Sequence, residues 1–173
     1  MAVYKSRRKD AAAEFISDAR ELRKVTMRVV KRFPTSYRWI ITNNLLSLAT
    51  EIYTDCLRAN AIFVHKDMSQ HDFDLRHRYL TMAASAAEAL LGEITFSYEL
   101  VDDGNNYFKS RAEYDDVFRR WTEQGNTALK RIRALLESDK QRYASYQKKK
   151  MEEAKKKAEE EAAKKRGEAT VKK

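Results

Sequence analysis

Apolar side chains along this chain recur three and four residues apart, the spacing that gathers them on one face of an α-helix. Between Asp10 and Phe33, the set Phe15, Ala19, Leu22, Thr26, Val29, Val30 and Phe33 shares an arc of about 100°, the width of a core-facing stripe. Pro34 lacks a backbone donor and disfavours helical geometry at Phe33, so the first helix ends there. Thr35 or Ser36 can cap a second helix running to Val64. Its main stripe is Tyr37, Ile41, Asn44, Leu45, Leu48, Ile52, Ala59 and Phe63. A second stripe, Trp39, Leu46, Tyr53, Leu57 and Val64, lies about 140° away. Two such faces mean either a helix with neighbours on both sides or an oligomer interface.

Ser69, with Asp72 three residues on, resembles a capping box opening a third helix. Its core face is Leu75, Tyr79, Met82, Ala83, Ala86, Leu90, Ile94 and Val101, and it stops at the Asp-Asp-Gly-Asn-Asn run, where Gly104 suits a left-handed cap. Ser110 and Glu113 form a capping box for a fourth helix. That helix carries Tyr114, Val117, Phe118, Trp121, Gly125, Ala128, Ile132, Leu135 and Leu136, with Tyr143 and Tyr146 extending the stripe. Short connections imply antiparallel neighbours, so the expected fold is an all-α, up-down-up-down four-helix bundle.

Beyond Tyr146 the stripe vanishes. Glu152/Lys156, Glu153/Lys157, Glu160/Lys164 and Glu161/Lys165 pair at i,i+4, and no heptad seam accompanies them. The expected organisation is a basic arm at 1–9, a bundle at 10–146 and a charged tail at 147–173, the tail helical or disordered. Four glycines and one proline in 173 residues are too few for a turn-rich β protein or a Gly-rich phosphate loop. Cys56 is the single cysteine, which excludes an intrachain disulfide. The start of the chain has no apolar signal core, and no run reaches the ~18 apolar residues of a membrane span. A cytoplasmic location away from membranes is the expectation.

The formal charge is +9, and residues 138–173 hold 13 Lys/Arg against 7 Asp/Glu, so much of the excess sits in the tail. In the bundle the positives concentrate on the first helix. Arg20, Lys24, Arg28 and Lys31 fall opposite its core stripe, Arg23 and Arg32 flank them, and Arg38 follows the proline corner. From Arg20 to Arg38 only Glu21 opposes these seven. A solvated face ordinarily mixes signs for i,i+4 pairing; a one-sign face suits a polyanion, foremost RNA or DNA, with acidic protein or lipid as alternatives. Tyr37 and Trp39 can stack on bases or pack within the protein.

Arg58 and His65 make an R-x6-H pair, nearly two helical turns apart, that resembles the motif of HEPN ribonucleases. There a His serves as acid/base and an Arg stabilises phosphate charge. His65, His71, His77, Asp72 and Asp74 lack i,i+4 ligand spacing, and the acidic residues between the last two helices match no calcium loop. No metal or other cofactor is expected.

The stretch VVKRFPTSYRWIITNNLLSLATEIYTDCLRANAI, residues 29–62, resembles a family of small four-helix-bundle proteins. These are encoded in intervening sequences of bacterial large-subunit ribosomal RNA genes, and the family includes the accessory variability determinants of diversity-generating retroelements. Phe33, Pro34, Tyr37, Asn60 and Ala61 carry the likeness; Ile62 and Phe63 stand where members usually have Glu–Gly. The resemblance implies a barrel-like homo-oligomer, commonly a pentamer, with a positive surface and no catalytic centre. In retroelements such proteins bind the reverse transcriptase and nucleic acid and support cDNA synthesis. The expected function is therefore a non-catalytic nucleic-acid-binding scaffold, accessory to a reverse transcriptase. The alternatives are an HEPN-like ribonuclease using Arg58 and His65, and a purely structural homo-oligomer.

Overall fold

Each apolar stripe has become a helix in the computed structural model, which describes residues 3–101 and 107–171, with side chains at 3–13, 38 and 163–171 left aside. Four long helices, one three-residue helix and one π turn follow in order: α1 Val3–Val30, α2 Thr35–Tyr37, a π turn Arg38–Thr42, α3 Asn43–Ala61, α4 Gln70–Leu100 and α5 Arg111–Val171. Among the described residues there is no strand, and no helix is long and apolar enough to cross a membrane. Gly104 and its neighbours in the expected cap lie outside the described residues.

The first corner is tighter than the sequence suggests. α1 stops at Val30, and Lys31–Phe33 form a turn in which Arg32 N donates to Val29 O (2.9 Å) and Phe33 N to Val30 O (3.2 Å). Pro34 forces Phe33 out of helical geometry, so the last carbonyls of α1 are met by i→i−3 bonds. The second helix resumes within one residue but is locally unwound at the π turn. α1 starts at Val3, seven residues before the expected Asp10, with no break between arm and helix.

All seven positions of the α1 stripe are buried. Thr26 is the polar member. Its hydroxyl donates to Leu22 O (2.9 Å) and accepts from Trp121 Nε1 (2.9 Å), which satisfies a buried indole on α5. Phe33 stacks on Phe118 at 6.2 Å, and Phe118 continues through Tyr114 to Phe108, an aromatic cluster that closes the corner end of the core. At Gly125 an added Cβ would stand 2.8 Å from Leu91 Cδ2, so this glycine lets α4 and α5 approach closely.

The expected caps at Ser69 and Ser110 form, whereas Thr35 and Ser36, expected to cap the second helix, lie inside α2. Asp72 N donates to Ser69 Oγ (3.1 Å), and Glu113 N to Ser110 Oγ (3.2 Å), while the Glu113 carboxylate reaches back to Lys109 N (2.7 Å). α3, however, ends at Ala61 rather than Val64, because Ile62 is extended (φ −104°, ψ 115°). A side chain from α4 explains the stop. Arg76 donates through Nη1 to the carbonyls of Ala59 and Ile62 and through Nε to Asp139 of α5 at 2.7 Å. One buried guanidinium thus caps α3 and ties three helices together.

Three expected core residues are corrected. Phe63 lies beyond the helix end and is 74% exposed; Asn44 and Met82 face solvent, with Leu45 and Ala83 taking the buried places beside them. Val64, expected on the second surface stripe, is instead buried with Met68 and Tyr143 in a small cluster under the α3–α4 connection. α5 continues as one helix past Tyr146, and from Lys148 to Ala162 every side chain is exposed.

Candidate nucleic-acid interface

Because the α1 stripe is buried on every turn, the opposite face must look outward. Arg20, Lys24, Arg28 and Lys31 are all exposed, Arg28 over 73% of its side chain. Eight residues of helix separate Arg20 from Arg28, a rise of about 12 Å, and Lys31 follows in the turn just past the end of α1. Glu21 is their nearby acidic residue, with Lys24 Nζ at 3.1 Å and Arg28 Nη1 at 3.9 Å. Such exposed pairs exchange readily for phosphate contacts, since each contributes little in water.

The two flanking arginines are engaged in the protein itself. Arg23 is half-buried, its guanidinium 5.7 Å from the centre of the Tyr53 ring on α3. Arg32 lies 4.1 Å from the Phe108 ring centre, and its Nη2 is 2.9 Å from Glu113 Oε1. Glu113 therefore caps α5 and anchors the end of α1 together. The Lys109 N–H, then the Arg32 guanidinium, hold its carboxyl below the usual carboxylate range. The Arg38 side chain lies outside the described residues.

A groove of ≈ 420 Å³ runs between α1 and α5 beside this face. Its floor is Val25, Val29 and Val117, and its walls carry Glu21, Arg28, Arg32, Arg120 and Gln124. Arg120 was not legible as part of the face, because α5 brings it in from far along the chain. It pairs with Asp116 (2.8 Å), which also holds Arg119, and the two arginines keep the Asp116 carboxyl below its ordinary value.

The second α3 stripe is divided rather than continuous. Trp39 is 81% exposed and Leu57 is exposed; Leu46 and Tyr53 are half-buried against the core, and Val64 is internal. Ile40, absent from both expected stripes, is 75% exposed beside Trp39.

Arg58 and His65 do not share a helix flank, since the helix between them ends at Ala61. Arg58 pairs with the buried Asp55 (2.9 Å) and faces the Tyr79 ring. His65 stands in the connection, where its Nδ1 accepts from Asp67 N (3.3 Å). Among the described residues no group of three or more His, Cys, Asp or Glu is placed to hold a metal ion. Cys56 is fully buried, and burial, with Asp55 adding to it, pushes its thiol up to about 12, which leaves no reactive thiolate at neutral pH. Compared with known proteins, the chain matches no family model, no curated protein and no solved structure.

Proposed function

We propose that the protein is a non-catalytic scaffold that binds RNA or DNA through the outer face of α1. One observation carries the reading: Arg20, Lys24, Arg28 and Lys31 are exposed on a single face whose nearby carboxylate is Glu21. A cationic row on a rigid helix fits a phosphate backbone and releases its counterions. The likeness at Phe33, Pro34, Tyr37, Asn60 and Ala61 supports a more specific role as accessory to a reverse transcriptase in cDNA synthesis. An antiparallel up-down-up-down order belongs to the same proposal. It is supported by cross-helix partners that fall along α5 as they rise along α1: Glu14 with Arg131, Thr26 with Trp121, Arg32 with Glu113. So does assembly into a homo-oligomer, with Leu57, Tyr53 and Leu46 at the subunit contact and a pentamer as the family-like form.

Fluorescence anisotropy across a salt series tests the binding face. Affinity should fall by about 0.7–0.9 in log–log slope for each phosphate neutralised. Changing Arg20, Lys24, Arg28 and Lys31 together to Gln should remove about three units of that slope while the helical spectrum is retained. Wild-type-like binding by this variant at every salt concentration would reject the face.

A further inference from the structure

We infer that Trp39 and Ile40 form a base-contacting tip, and that the nucleic acid held by this protein presents unpaired bases. The inference rests on the nucleic-acid reading above and names its ligand more closely. Trp39 and Ile40 are the two most exposed large apolar side chains described, at 81% and 75%. They are consecutive, and both sit in the π turn Arg38–Thr42. A π turn gives up regular α-helical hydrogen bonding, and such turns recur where a helix has been opened for function.

The surroundings favour bases over a second protein surface. Exposed Asn43 and Asn44 follow the tip and Ser47 comes one turn later, while Leu46, next on the Trp39 stripe, is half-buried against the core. Amide side chains carry both donors and acceptors, as base edges do. The whole stretch 22–50 contains six Lys/Arg and no Asp or Glu. Trp39 stands eight residues beyond Lys31, past the corner at which the basic row of α1 ends. Every base has a π-face, so stacking there demands no sequence, but in a duplex that face is covered by its neighbours. The tip should accordingly select single strands, loops or bulges. This assigns Trp39 to the ligand instead of to the subunit contact.

The two tryptophans make the test direct. Trp121 is buried and hydrogen-bonded to Thr26, whereas Trp39 is open to solvent, so long-wavelength indole emission reports Trp39. Full-length protein is titrated with a short oligouridine and with an RNA duplex, and anisotropy of labelled strands is followed in parallel. Oligouridine should quench the Trp39 emission and the duplex should not. Trp39→Ala should abolish the quench and weaken oligouridine binding about tenfold or more, with duplex binding unchanged; Trp39→Phe should retain part of the affinity. Oligouridine binding with unchanged emission would overturn the tip and leave the nucleic-acid reading intact. Failure to bind either strand type would remove that reading and the tip with it. A change in emission with rising protein concentration alone, accompanied by a larger mass in light scattering, would assign the tip to a second copy of the chain. Quenching by polyglutamate but not oligouridine would assign it to an acidic peptide.

Discussion

A single buried guanidinium governs where α3 ends. Arg76 meets the Asp139 carboxylate at 2.7 Å and donates to the carbonyls of Ala59 and Ile62 at the end of α3. Arg76→Met should cost about 3 kcal/mol, because Asp139 is left buried with only Arg142, among the described residues, near it at 3.7 Å. Adding Asp139→Leu should recover part of the loss, since an apolar pair can replace a buried ion pair. Chemical denaturation of the three proteins checks both statements. Cys56 gives a second expectation at this scale. With its thiol buried and pushed up to about 12, alkylation should proceed only through opening of the fold, and its rate should rise with denaturant. Rapid labelling under native conditions would contradict the packing at Cys56. Neither Arg76 nor Asp139 was legible in the sequence. Both sit on helices where a charged residue ordinarily points outward, and only the meeting of α3, α4 and α5 pairs them. The α1 stripe was legible throughout, down to Thr26, because a single period of 3.6 residues decides all of its positions.

At the scale of elements, the signals at Ser69 and Ser110 could be read directly, because each is a local hydrogen bond between neighbours in the chain. Ser69 and Ser110 start α4 and α5 as expected. The end of α3 was misplaced by three residues, because it is set by a side chain from another helix. Ile40 lies on neither expected stripe and is exposed in the π turn beside Trp39. Glu113 belongs here too, since it joins α1 to the start of α5. Its folded-state affinity for protons is depressed, so its contribution is present above the ordinary carboxylate value of about 4.3 and lost as pH falls through the lower folded value. Asp18 has the opposite sign: burial raises it, partly offset by Arg131, so its ionisation opposes folding. The expected outcome is that Glu113→Gln lowers the melting temperature at neutral pH and flattens its decline below pH ~4. Melting curves across that range would show it. Removing residues 148–171 should leave the bundle's cooperative melt unchanged within error, because the described side chains of that stretch, up to Ala162, touch only solvent. A large drop in melting temperature would mean that the extension packs on something.

For the whole molecule, the basic α1 face and the exposed Leu57 lie on different helices, so charge and assembly can be separated by mutation. Multi-angle light scattering at micromolar concentration should return a multiple of 20.2 kDa for the wild type and a smaller mass for Leu57→Glu. A monomer mass for the wild type would leave the scaffold reading without its assembly. α5 complicates any cruder measurement of size. Its 61 residues make a rod of about 92 Å, and along the 15 residues from Lys148 to Ala162, about 22 Å, every side chain is exposed. Frictional drag follows the longest dimension more than the volume. A lone chain would therefore sediment slowly for its mass and elute early from a sizing column, imitating an oligomer, whereas the truncated chain would elute close to its true mass.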